Sequence, residues 1–339
     1  MKKIAVAMSG GVDSSVSAFL IAKKYGKDNV FGVTLKMFEG DNSYLKKAYN
    51  VCEEIGIKHY VVDIRNSFKK EIIDYFVSEY KKGLTPNPCV KCNRVIKFGE
   101  LFREATKMGA SYVATGHYVI KKLKKGSYRL YKGKDESKDQ SYFLYRLTQY
   151  ELAHAIFPLG NLKKSKVKKI AKKLKLPTLE SESQEVCFIE TTAREFLKNK
   201  IKNKKGEVVH VSGKKLGKHE GAHFFTIGQR KGMGIAYTKP LYVVEIDIKK
   251  NRVILGEESY LYKKELVLSD TNWISGMLPK NGELVDVKIR YATKTVKAKI
   301  YPGKNKAKVN FLESVRAITP GQSAVFYRKN EVLGGGIIK

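Results

Sequence analysis

Apolar runs of strand length alternate with helical spacing through the first part of the chain. Residues 3–8 (KIAVAM) and 30–35 (VFGVTL) read as strands, and residues 13–25 between them carry apolar positions at helical intervals, which makes a βαβ unit. A run at 60–64, helical stretches near 68–80 and 94–107, and a run at 112–115 continue the alternation. An α/β class with a parallel sheet covered by helices is predicted. Residues 83–93 (GLTPNPCVKCN) hold two prolines and little periodicity, so they read as a loop between helices. Residues 162–176 form an amphipathic pattern with a very basic face, ended by Pro177; a solvated helix face is the plainer reading and contact with a polyanion the sharper one.

After about residue 200 the texture changes to short β-rich runs such as GEVVHV, YVVEIDI, RVILG, LVDVKIRYA and KAKIYP, separated by Gly, Asn and Lys turns. The expected domains are therefore 1–200, a small central β domain over 201–262 and a terminal six-strand-like barrel over 263–339. At 339 residues, two or three domains are also what length suggests.

Charge and cysteines narrow the chemistry. The chain has 66 Lys and Arg against 33 Asp and Glu, a net charge of +33, which suits a polyanionic partner such as nucleic acid, although a Lys-rich composition also arises without one. No run approaches the roughly 18 apolar residues of a membrane span, and the N-terminus reads as a strand and turn, so a cytoplasmic protein without a membrane role is expected. Four cysteines in such a chain point to metal binding or catalysis before disulfides. Cys52 sits among apolar residues of a helical stretch and reads as buried core.

Residues 9–15 (SGGVDSS) follow the first strand and open the first helix. Glycines let backbone approach a phosphate, hydroxyls and amides donate to it, and the helix N-terminus adds positive potential. Neither a Walker loop nor a dinucleotide fingerprint is present. SGGVDSS resembles the signature of the PP-loop ATP pyrophosphatases, which implies splitting of ATP into AMP and pyrophosphate, with AMP activating a carbonyl oxygen and Asp13 helping to hold Mg2+.

Cys89 and Cys92 form a C-x-x-C, and Cys187 lies far downstream; by themselves these three suit a redox relay or a metal site. Lys91 and Arg94 flank Cys92 and are the cations expected to lower its pKa. His117 ends a predicted strand, where open α/β sheets bind ligands. Taken in order, SGGVDSS, TPNPCVKCNRVIKFG, YVATGHY, SKDQSYFL, SQEVCFI, FTIGQRKGMGI and PGQSAVFY closely resemble the tRNA-specific 2-thiouridylase family across almost the whole chain.

That resemblance implies a sulfurtransferase placing sulfur on C2 of the wobble uridine of tRNA, and the same three domains. It implies an ATP site of Ala7, Met8, Ser9, Gly10, Gly11, Val12, Asp13 and Ser14 with Leu35 and Gly116, Leu35 standing where the family usually has Met. Asn87, Pro88 and Cys89 would meet the target base, while His117, Lys138, Asp139, Gln140, Arg290, Tyr291 and Gln322 would contact tRNA. Cys92 matches the nucleophile and Cys187 the persulfide carrier, loaded by a sulfur donor such as a cysteine desulfurase or relay protein.

Many members have Asp at position 89, and the Cys found here opens two schemes. In one, Cys187 carries persulfide sulfur and Cys92 closes a disulfide with it. In the other, Cys89, Cys92 and Cys187 hold a [4Fe-4S] cluster that binds the sulfur; the third thiol favours this one. The competing readings are a small-molecule amidating synthetase on the same loop, for which no N-terminal Cys glutaminase signature appears, and a noncatalytic RNA-binding protein.

Overall fold

The computed structural model describes residues 2–40, 42–177 and 186–339. Strands β1 (Lys3–Ala7), β2 (Val30–Lys36), β3 (Lys58–Asp63) and β4 (Ala110–Ala114) form a parallel sheet. With the short β7 (Ala155–Ile156) the order is β3-β2-β1-β4-β7. Alternation sorts the side chains between two cores. Ile4, Val6 and Met8 enter a cluster with helix α1 (Val12–Tyr25) and helix α2 (Ser43–Ile55), while Ala5, Phe31, Val33 and Leu35 enter another with Phe68, Ile72 and Cys92. Chain direction across the sheet reverses at β1, so the loops leaving β1 and β4 flank the crevice where such sheets bind ligands.

The region read as a loop over 83–93 is corrected in its second half, where Pro88–Cys92 is already helical and continues through a π-helical segment, Asn93–Glu100, to Leu101–Lys107. Asn87 is the N-cap, its Oδ1 accepting from the Val90 amide at 3.3 Å, and Pro88 occupies the first turn, where its missing N–H removes no helical bond. A cap of this kind contributes about 1 kcal/mol. The C-x-x-C thus sits on a helix start.

Beyond the first sheet, β8 (Gly206–His210), β9 (Lys215–His219), β10 (Tyr242–Asp247) and β11 (Arg252–Gly256) make a four-stranded sheet whose core takes in Phe76, Val77 and Tyr80 from the long helix preceding the C-x-x-C. The terminal strands β12 (Tyr262–Trp273), β13 (Glu283–Lys288), β14 (Val296–Pro302), β15 (Lys306–Arg316), β16 (Ser323–Arg328) and β17 (Glu331–Ile338) close into a six-stranded barrel through the β12–β17 pairing. A hairpin of β5 (Val119–Lys124) and β6 (Ser127–Lys132), absent from the sequence reading, leaves the first sheet and extends the barrel sheet by pairing β6 with β17. Among the described residues no helix is long and apolar enough to cross a membrane.

Candidate functional site

Two tight glycines shape the loop between β1 and α1, Gly10 within it and Gly116 packed against it from the end of β4. Gly10 has φ +72, and a Cβ there would stand 2.9 Å from the Tyr44 carbonyl oxygen; a Cβ on Gly116 would stand 3.0 Å from the Asp13 carbonyl carbon. Gly11 takes the N-cap position of α1 and, lacking a side chain, leaves the first-turn amides facing outward for an anion. The hydroxyls hold the loop's shape. Ser14 Oγ accepts from the Ser9 amide at 3.2 Å and donates to the Gly11 carbonyl at 2.9 Å, and Ser15 Oγ donates to that same carbonyl at 2.9 Å. Ala7 ends β1, Met8 follows it, Val12 opens α1, and Leu35, next to last in β2, lies in the same core cluster as Cys92.

Asp13 is already engaged. Lys164 Nζ lies 2.7 Å from both its carboxylate oxygens and the Tyr118 hydroxyl donates to Oδ1 at 2.7 Å. Lys164 begins the basic helix Lys164–Lys173, so that helix is not merely a solvated face. Asp13 keeps about a third of its side chain exposed, and a carboxylate at that place suits magnesium arriving with phosphates.

The three cysteines come together from two distant stretches. Cys89 and Cys92 share the short helix Pro88–Cys92, and Phe188, which follows Cys187, packs in the same core cluster as Cys92. All three are free. Cys187 is exposed, Cys92 buried, and Cys187 also acts on the Tyr44 phenol, whose own residue backs Gly10. The first three residues of the SQEVCFI motif lie outside the described residues, but Phe188 packs edge-on against Phe76 and Phe68, at 5.4 and 6.0 Å between centroids.

These thiols are not preactivated. Burial pushes Cys92 up to about 12 and also raises Cys89. Cys187 goes to about 11, again mainly by loss of water around the sulfur, though its exposed edge leaves it the most approachable of the three. The expected activating cation is corrected too. Lys91 turns away to Glu71 at 3.2 Å and to the face of Tyr75, whereas Lys97, one π-turn beyond Cys92, pulls all three thiols downward. Cys89, Cys92 and Cys187 are the residues that would hold a [4Fe-4S] cluster; among the described residues no group of three His, Cys, Asp or Glu is already arranged around a metal position.

The residues expected at tRNA divide into two sets. Tyr291 is exposed, its ring tilted at 40° to Phe143 with centroids 4.5 Å apart and Lys288 Nζ 5.1 Å over it, which together make an aromatic and basic surface. The others are occupied internally. Asp139 is buried and accepts from the Gly133 and Ser141 amides; the Gln140 side chain accepts from the Tyr118 amide at 3.1 Å. Arg290 donates to Thr319 and to the carbonyls of Ile227 and Ala317, spanning the central domain and the barrel. His117 is 7% exposed, bonded to Thr115 Oγ1 at 2.8 Å, and burial holds its pKa well below the usual imidazole range.

Gln322 donates to the Thr85 carbonyl at 2.8 Å, the Thr85 amide donates to the Pro320 carbonyl at 2.9 Å, and Thr85 and Thr226 share a hydroxyl contact at 3.2 Å. Two motifs from two other regions of the chain therefore brace the segment that presents Asn87 and Cys89. Lys164 and Lys97 escaped the sequence reading. Lys164 lay in a helix dominated by lysines, and the spacing of Lys97 from Cys92 acquires meaning only in a π-helix.

Three family models together match most of the chain. The tRNA methyl transferase HUP domain family matches residues 2–191, the tRNA methyl transferase PRC-barrel domain family residues 194–257, and the aminomethyltransferase beta-barrel domain family residues 263–338. The tRNA-specific 2-thiouridylase MnmA 2 of a Thermoanaerobacter species is 49% identical over 99% of this chain and 98% of its own. The corresponding MnmA 1 of Caldanaerobacter subterraneus is 46% identical over 99% and 98%, and that of Clostridium botulinum 44% over 100% and 99%. Among solved structures, the U34-tRNA thiolase NcsA from Methanococcus maripaludis aligns with a TM-score of 0.39 at 23% identity, covering 55% of this chain and 62% of that one.

Proposed function

The chain belongs to the tRNA-specific 2-thiouridylase family, and from that premise we propose that it is an ATP-dependent sulfurtransferase replacing O2 of the wobble uridine of tRNA with sulfur. The observation that carries the reading is that Phe188, next to Cys187, packs in the core cluster that holds Cys92 and Leu35, behind the sheet edge from which the SGGVDSS loop leaves.

The loop amides and the α1 N-terminus hold the ATP phosphates. Uridine O2 attacks the α-phosphorus and pyrophosphate leaves, giving an adenylated C2. A magnesium ion held by Asp13 would neutralise charge on that leaving group. The terminal sulfur of a persulfide on Cys187 then attacks C2, and AMP departs with the uridine oxygen. Cys92, as thiolate, attacks Sγ of Cys187; the S–S bond to the base breaks, 2-thiouridine leaves, and a Cys92–Cys187 disulfide remains. An external dithiol reduces it with two electrons and a persulfide donor, a cysteine desulfurase or relay protein, reloads Cys187. Lys97 favours the thiolate that burial otherwise resists. Asn87 offers its amide to the splayed base, and Tyr291, Phe143 and Lys288 give an aromatic and basic surface for the surrounding RNA.

The test is a reconstituted reaction of iron-free protein with tRNA, ATP and a persulfide donor. Equal amounts of 2-thiouridine and pyrophosphate are expected, with Cys187→Ser keeping pyrophosphate release but losing thiolation. Absence of thiouridine, or its appearance only after iron and sulfide are restored, would overturn the scheme.

A further inference from the structure

A phosphate-binding loop of the Walker type carries its own lysine, which reaches the β- and γ-phosphates. SGGVDSS carries none: its hydroxyls and amides are neutral, and its one charged side chain, Asp13, has the same sign as a triphosphate. A highly anionic ligand bound there would meet a carboxylate with no cation of the loop's own to offset it.

The fold supplies that cation from elsewhere. Lys164 arrives from far along the chain and places Nζ 2.7 Å from both Asp13 oxygens, directly beside the first turn of α1. Its backbone is pinned, because the Lys164 amide donates to Asp135 Oδ2 at 2.8 Å and Asp135 is in turn held by Ser137. The side chain is mostly enclosed, 18% exposed, and runs 5.8 Å from the Tyr118 ring. A fixed Cα with a flexible four-carbon stem suits a cation that changes partners over a few ångströms.

We propose that Lys164 is the phosphate-binding lysine of this nucleotide site, paired with Asp13 when the loop is empty and transferred to the β- and γ-phosphate oxygens when ATP binds. The pair stores the ammonium next to the cradle without leaving either charge uncompensated. ATP draws the lysine away because its terminal phosphates bring more negative charge than one carboxylate, and Asp13 is freed. AMP lacks those phosphates, so the Lys164–Asp13 pair persists with AMP bound. The site therefore distinguishes substrate from product nucleotide through a residue outside the loop. This assignment rests on the ATP reading above.

The experiment is calorimetric titration of the full chain with ATP and, separately, with AMP, for the unmodified protein, Lys164→Met and Lys164→Arg. Loss of one charge-assisted phosphate contact predicts that Lys164→Met weakens ATP at least about tenfold while AMP stays within about twofold, and that Lys164→Arg recovers most of the difference. Equal weakening of ATP and AMP, or unchanged ATP affinity, overturns the proposal. If the unmodified protein binds no ATP, the nucleotide reading itself falls and takes the proposal with it; binding by the unmodified protein that Lys164→Met leaves intact refutes the lysine alone. Should Lys164→Met not fold, the unmodified protein carries the test: ATP should expose or shield Lys164 toward amine acylation differently from AMP, and identical labelling with both nucleotides overturns the assignment.

Discussion

The rings of Phe188 and Phe76 meet edge-on, with centroids 5.4 Å apart and planes at 85°. Phe188 also touches Phe68 and Phe196, so the residue next to Cys187 is tied to the helix before the C-x-x-C and to the one leading into the central domain. Phe188→Ala should leave ATP binding intact but slow formation of the Cys92–Cys187 disulfide, followed by trapping free thiols during a single turnover. Truncating a partly buried aromatic of this kind costs about 2–3 kcal/mol, so melting should fall as well, though less than for a fully buried core Phe. An unchanged disulfide rate would show that other contacts place Cys187.

Gln322 reaches the carbonyls of Thr85 and Pro86 from the barrel. Gln322→Ala leaves those acceptors without their donor, a loss of about 1–3 kcal/mol concentrated on the segment before Asn87. Thiolation should fall about tenfold with ATP affinity unchanged. Rate measurements at saturating tRNA check this; a defect curable by more tRNA would instead mean that Gln322 acts only in RNA binding.

The cysteine shifts have an alkaline consequence. Burial raises Cys52 and Cys92 to about 12 and Cys187 to about 11, above the ordinary thiol value near 8.5. The unfolded chain loses these protons first, so the associated stability is present below about pH 8.5 and is lost as pH rises toward the folded values. Denaturant midpoints should decline from pH 8.5 to 10.5. In the same range, alkylation of Cys92 should accelerate with pH, and Lys97→Met should slow it at every pH. If that variant reacts as fast as the parent, Lys97 does not face the sulfur.

Four histidines act in the opposite direction. Burial lowers His59, His117, His219 and His223 below the usual imidazole value, His223 with further opposition from His219 and Lys81. The unfolded chain then takes up protons first as acid is added. Stability is full above about pH 6.5 and is lost as pH falls toward the lower folded values. Melting temperature should drop between pH 7 and 5. Both ring nitrogens of His219 and Nε2 of His223 lack hydrogen-bond partners, so His223→Leu should flatten the drop. An identical pH slope in that variant would exclude the pair as its source.

Much of this protein is legible without coordinates where the relevant physics is local. The strand, glycine turn and helix around SGGVDSS depend on neighbours a few residues apart, and so do the two-residue alternation of the barrel strands and the 3.6-residue spacing of α1. The C-x-x-C shows where local reading breaks down: two prolines suggested a loop, yet one of them fits a helix's first turn once Asn87 caps it.

Everything that turns these segments into one site depends on contacts between distant residues, which no local pattern encodes. Packing chose Lys97 over Lys91 beside the thiols, added β5 and β6 to the barrel sheet, gathered Thr226, Pro320 and Gln322 around Thr85, and set Lys164 against Asp13. The sequence by itself determined which chemical groups were present and what local shapes they took. Tertiary structure alone decided which of them meet, because burial and ion pairing act through space and not along the chain.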